Sequence, residues 1–247
     1  MTVQEISQYL ERHFVTLSQL AQRSETAPEV ILMLIAHECI PGHSYEIKSR
    51  MTVGSFVFGD TVIEEDVVER YYAPTVAVWV RRAQELAAKI PLREVSLAMK
   101  ETFRSDYRTA LFDLGAHKYD EGGCFRSETE LDEEAFDRHF EDTWKHWVEG
   151  TYGVCTRNAD SAANIARKNV AVSRLSHLTA NGQKKTYSQK ERDEILKAIV
   201  EYDEVALPFA PHDYPSSSRK RLVDNVIPYL EAVNEVGSPT LTKQTVC

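Results

Sequence analysis

Residues 131–149 constrain the fold more than any other stretch. Phe136, Phe140, Trp144 and Trp147 recur at three- and four-residue spacing. One helix face therefore carries four large aromatics, and only a substantial core can bury them. Gly150 follows as the natural C′ residue of that helix.

The remaining patterning is also mostly helical. Val3–His13 reads as a first helix and Thr16 as the N-cap of a second, ending at Arg23. Thr26 and Glu29 suggest a capping box with Pro28 in the first turn, opening a third helix to about Glu38. Further helices are expected over 74–89, from Pro91 to His117, from an Asn158 or Asp160 cap to Asn181–Gly182, and from Ser188 to Leu207. A last one runs from the serines at 216–218 to Leu230. Ser188 and Glu191 form a second capping box. Partial alternation over 44–48 and the apolar run 54–60 between glycines mark one small β-hairpin. The predicted class is mostly α: a single helical bundle over residues 1–236, a helix-turn-helix-like hairpin in 1–43, and a loose tail at 237–247.

The chain has 247 residues, 29 Lys and Arg against 38 Asp and Glu, and 43% hydrophobic content. That length and composition suit a folded globular domain and exclude wholesale disorder. The longest apolar run, Val30–Ala36, is far below the roughly 20 residues of a membrane helix. The first fourteen residues lack the apolar stretch of a signal peptide. A cytoplasmic protein with no membrane partner is expected. The net −9 hides a contrast: nine acids and two bases over 121–142, then eight bases and two acids over 157–192. Such segments form opposed surfaces within one domain, an interface with a second copy in a homo-oligomer, or solvated helix faces. The third helix, rich in Val, Ile and Leu, lacks the Arg, Lys, Asn or Gln of a DNA reader, so no nucleic-acid partner is expected.

Three segments carry candidate chemistry. His37-Glu38-Cys39-Ile40-Pro41-Gly42-His43 contains two His six residues apart, which a zincin's i, i+4 geometry cannot use. It keeps a zinc peptidase open only if His43 reaches back from the turn. Cys39 and His43 are the candidate metal ligands, with Zn or Fe the suitable ion; the alternative is a helix-ending turn. The segment 146–157 sets Cys155 between the glycine-bracketed Tyr152 and Arg157, with His146 four residues after Asp142. A Cys155–His146 acyl-transfer site, its thiol activated by a following helix N-terminus, is one reading. A buried small thiol is the other. The segment 208–219 holds His212 in a proline-stiffened loop, followed by Ser217 and Arg219, which suit an anion. Lys168 adds positive charge. No nucleotide, pyridoxal or flavin fingerprint is present, so no organic cofactor is implied.

The phrases CIPGHSY (39–45), HWVEGTYGVCTR (146–157), IARKNVAV (165–172) and PFAPHDYPSSSRKRLVD (208–224) resemble a domain-of-unknown-function family. Its members are described as natural-product biosynthesis proteins. The resemblance spans about Tyr9 to Leu230 and implies a stand-alone protein of a biosynthetic pathway. It supplies no reaction and no catalytic residue. Together these readings give an enzyme of secondary metabolism acting on a small amino-acid-like or carboxylated substrate. Cys155, His146 and His212 are its catalytic candidates, and Tyr152, Arg157, Lys168, Ser217 and Arg219 its binding ones. The alternative is a non-catalytic accessory protein of the same kind of pathway.

Overall fold

The computed structural model describes residues 2–119 and 123–231. The tail expected at 237–247, with Cys247, lies outside them, as do Glu121 and Gly122. The described residues form ten α-helices, one three-stranded antiparallel sheet and one two-stranded hairpin. None of the described helices is long and apolar enough to cross a membrane.

Local chemistry accounts for most helix ends. α1 (Val3–His13) opens on a Thr2–Glu5 capping box, and α2 (Leu17–Ser24) on one made by Thr16 and Gln19. α3 (Pro28–Ala36) departs from expectation. Ala27 is its N-cap and makes no side-chain bond, while the Thr26 hydroxyl donates instead to Ser24 O and Gln84 Oε1. Pro28 at the first position suffices, since its missing N–H had no helical partner anyway. Between α1 and α2 lies β1 (Val15–Thr16), which pairs with β3 and ties the N-terminal helices into a sheet. That arrangement does not establish the helix-turn-helix-like unit expected over 1–43.

The hairpin is far longer than the short one read from the sequence. β2 (Tyr45–Ser55) and β3 (Gly59–Tyr72) pair antiparallel from Tyr45–Tyr71 out to Ser55–Gly59, with an irregularity after Ser49. Only its base packs on the body. This explains why the alternation was faint: outside the base, neither face has a core to select for apolar residues.

α4 (Val76–Ala87), α5 (Leu92–Asp113) and α6 (Glu133–Val148) follow. β4 (Phe125–Ser127) and β5 (Glu130–Leu131) make a small hairpin before α6. The aromatic stripe is buried as its spacing requires: Phe136, Phe140, Trp144 and Trp147 all lie in the core. Phe103 meets Trp144 and Trp147 edge-on at centroid distances of 5.8 and 5.7 Å, and Trp79 meets Trp147 at 5.1 Å. Such pairs add about 0.5–1.5 kcal/mol each beyond burial.

After α6 come α7 (Thr151–Cys155), α8 (Ala162–Leu178), α9 (Gln189–Val205) and the short α10 (Ile227–Glu231). Ser161, rather than Asn158 or Asp160, caps α8; the Asp160 carboxylate instead accepts from Asn164 Nδ2. α9 opens on the expected Ser188–Glu191 box. The last expected helix is broken into a π-helical turn at Lys220–Asp224 and α10. α8 packs on α5 and on α9, so its two halves belong to two adjoining apolar clusters.

Candidate functional site

The three segments that carry candidate chemistry are distant in sequence, and folding brings them together. Gly42 N donates to Val148 O at 2.8 Å, and Ser44 Oγ to Gly150 O at 3.0 Å. The first segment therefore seats on the second. Gly150 is left-handed at φ +78°, and a Cβ there would stand 2.6 Å from Gly42 O, so only glycine fits the contact. The second segment seats on the end of α9, directly before the third: Thr156 bridges Ala206, Arg157 N donates to Val205 O, and Leu207 N to Cys155 O. Tyr45, two residues past the first segment, reaches the third by donating its Oη to Asp213 Oδ2 at 2.7 Å.

Where the second and third segments meet the end of α9 lies a cavity of about 400 Å³, within the size range of small-molecule sites. Leu207, Pro208, Phe209, Tyr202 and Tyr214 give it apolar and aromatic walls; its charges are Arg157, Arg219, Asp203 and Asp224. Arg219 is gripped on two sides. Its Nη1 pairs with Asp203, and its Nε donates to Asp224 Oδ1 at 3.0 Å. Tyr214 Oη donates to the other oxygen of Asp224 at 2.7 Å. Arg157 has no ion-pair partner among the described residues; its guanidinium donates to the Asp203 carbonyl oxygen at 3.3 Å. Burial pushes the Tyr202 hydroxyl up to about 12, which keeps it neutral, and it shares a hydrogen bond with Ser218 Oγ at 2.9 Å.

Beside the cavity sits a tyrosine cluster. Tyr9 Oη donates to Pro208 O at 2.9 Å, and the Tyr9 and Tyr45 rings meet edge-on at 6.0 Å. Burial and the bond to Asp213 push the Tyr45 hydroxyl strongly up. His212 lies 3.4 Å from Asp213 Oδ1 and 5.9 Å, ring to ring, from Tyr45.

The binding candidates divide. Arg157 and Arg219 share the cavity wall. Ser217 is buried and spent locally, donating to Tyr214 O and accepting from Lys220 N. Tyr152 is buried under α7, where its hydroxyl accepts from Asn169 Nδ2 at 3.2 Å. Lys168 is half-buried on α8, away from the cavity wall.

The catalytic candidates do not assemble as the spacing suggested. Cys155 is the last residue of α7, and its thiol lies against Thr151 O at 3.7 Å. The sulfur thus bonds back to a carbonyl one turn earlier in its own helix, and it does not sit at the helix N-terminus expected to activate it. α8 begins only at Ala162. His146 is exposed on α6 and pairs with Glu149 at 3.7 Å rather than with Asp142. Cys39 is fully buried with its Sγ on His37 O, and burial pushes its thiol up. His43 lies 3.8 Å from Glu46, and partial burial followed by Arg70 holds its imidazole low. Among the described residues, no three His, Cys, Asp or Glu gather closely enough to hold a metal.

Sequence reading missed Asp203, Asp224, Tyr9, Tyr45 and Asp213. Tyr45, Asp213 and Asp224 stand inside the quoted phrases, which was the available signal. Asp203 and Tyr9 had none, because they meet the site only through packing.

A family model described as a family of unknown function (DUF6058) matches residues 99–230, more than half of the chain. That span contains the second and third segments and excludes the first. No curated protein matches the chain, and no solved structure does.

Proposed function

The chain belongs to the DUF6058 family of unknown function, and from that premise we propose that it binds a small zwitterionic, amino-acid-like metabolite in the cavity beside α9. One observation carries this reading. The cavity sets the unpaired guanidinium of Arg157 against the carboxylates of Asp203 and Asp224 across aromatic walls. A substrate carboxylate meets Arg157 in a charge-assisted bond. Its ammonium meets Asp203 Oδ2, the lining carboxylate oxygen that neither Arg219 nor Tyr214 engages. With two Arg and two Asp, the lining balances in charge, which suits a zwitterion better than the simple anion expected from the basic run. Pathway placement in natural-product biosynthesis is part of the same proposal and rests on the resemblance alone.

The tyrosine cluster supports an enzymatic form of this reading. Tyr9, Tyr45, His212 and Asp213 supply hydroxyls, an imidazole and a carboxylate in hydrogen-bonded reach of the loop that walls the cavity. A carrier or accessory protein needs the cavity but not this cluster.

Calorimetric titration of the purified chain with a panel of amino acids and their decarboxylated and deaminated analogues tests the binding. The zwitterion is expected to bind, and Arg157→Ala to weaken it at least tenfold with the melting temperature held. Equal affinity for the decarboxylated analogue, or an Arg157→Ala variant that binds like the parent, overturns the reading.

A further inference from the structure

From Lys48 to Arg70 every side chain with a described burial is exposed, so the β2–β3 hairpin leaves the body as an arm roughly 25 Å long. Phe56, Val57 and Phe58 form its tip at 79% exposure or more. Below the tip the pleat sorts the side chains. Met51 pairs with Ile63, Val53 with Thr61 and Ser49 with Val67, and cross-strand partners share a face. Positions 51 and 53 also share a face along β2, and the irregularity in pairing separates them from Ser49. Met51, Val53 and Ile63 therefore make one apolar stripe toward the tip, while Thr52 and its partner Val62 alternate onto the other side; nearer the base, Lys48 and Ser49 face Val68 and Val67.

A lone two-stranded ribbon is marginal in water, and a contiguous exposed apolar patch of this kind marks an interaction surface. We propose that this surface is covered by a second copy of the chain, the two arms packing apolar stripe to apolar stripe about a two-fold axis. The stripe is self-complementary, as an isologous contact requires. Its scale also fits. A standard interface takes about 800 Å² from each partner. Two exposed Phe rings, each worth roughly 150–250 Å² on burial, and the side chains of Met51, Val53, Val57 and Ile63 reach that order from one arm. Packed this way, two ribbons become a two-layer structure with an interior. Charge disfavours an anionic membrane as the occupant: the arm from Lys48 to Arg70 carries five acids against three bases.

Sedimentation equilibrium over a concentration series tests the arm contact. The full chain is expected to run at twice its 28.1 kDa mass. Met51→Glu with Ile63→Glu, both at exposed positions, is expected to halve that mass with the circular dichroism and melting temperature retained. Mild oxidation of Val53→Cys is expected to give a covalent dimer above the wild-type background, and Thr52→Cys, on the opposite face, none. A parent chain that stays monomeric, a dimer indifferent to the double substitution, or equal crosslinking from both faces overturns the proposal. So does a monomer that co-sediments with neutral phosphatidylcholine vesicles through Phe56 and Phe58, which assigns the tip to a lipid surface.

Discussion

Single side chains in this protein act mainly through the partner that folding hands them. Glu191 shows the local case. Its carboxylate is held down to about 2 by the bond from Lys184, then by the Ser188 backbone and hydroxyl. The folded value lies below the unfolded one, so the unfolded chain takes up the proton first. Stability from this group is present above about pH 4.5 and is lost as pH falls toward 2. Glu191→Gln keeps a capping side chain but removes the charge. Its melting temperature is expected below the parent's at pH 7 and to converge with it near pH 2; parallel curves over that range contradict the assignment. The Ser188–Glu191 box was legible in sequence because all its groups lie within four residues. Arg219 shows the distant case. Sequence reading took it as free to hold an anion, but Asp203, sixteen residues before it, occupies its Nη1. No local pattern marks that pairing, which α9 and the π-helical turn create by docking.

At the scale of elements, junctions decide the site more than helices do. α6 ends where its spacing placed the end, and Gly150 takes the left-handed position expected after it. What the sequence could not show is that Gly42 lies against that glycine. Gly150→Ala is therefore expected to cost more than the backbone penalty of about 1–3 kcal/mol, because its Cβ meets Gly42 O at 2.6 Å and His43 O at 2.8 Å. Gly59→Ala is the control: φ is also positive, at +74°, but no atom lies within 4 Å of its Cβ. In urea denaturation Gly150→Ala should lose clearly more stability than Gly59→Ala. Equal losses mean that the 42–150 contact does not constrain the fold. The α7 turn illustrates the opposite outcome. Its Gly-Thr-Tyr-Gly-Val-Cys phrase reads as a loop leading into a helix, yet folds as a five-residue helix ending at Cys155. Propensity over so short a span is weak, and tertiary packing set the direction in which the thiol points.

Across the whole molecule, a buried polar chain ties four helices. Asn169 of α8 donates to Tyr107 Oη of α5 at 3.1 Å and to Tyr152 Oη of α7 at 3.2 Å, and Tyr107 meets His139 Nε2 of α6 at 3.0 Å. Burial holds the His139 imidazole low, consistent with a neutral ring in this chain. Asn169→Leu removes both donations in the interior and is expected to cost about 1–3 kcal/mol. Hydrogen exchange should show that loss in α5, α6 and α8 together; a change confined to α8 refutes the linkage. The charge contrast also resolves at this scale. Lys100, Arg104 and Arg108, one helical turn apart on α5, meet Glu141, Asp137 and Glu133 on α6. Arg167 and Arg174 of α8 meet Glu204 and Glu201 of α9. Three acids of the first run and two bases of the second therefore pair with charges that lie outside both runs.

The sequence alone determined the helical class, most helix positions, the Ser188–Glu191 capping box and the buried aromatic stripe. Each of these depends on residues within a few positions of one another, where periodicity and hydrogen-bond geometry act directly. It also marked the three segments that meet, without showing that they meet. Tertiary structure alone decided that Tyr45 reaches Asp213, that Arg157 is left unpaired while Arg219 is not, and that Cys155 does not sit at a helix N-terminus. It also decided that a hairpin read as small stands out as a long arm. Those features depend on distances between segments up to about 170 residues apart, and such distances follow from how helices pack around the aromatic core rather than from any local pattern.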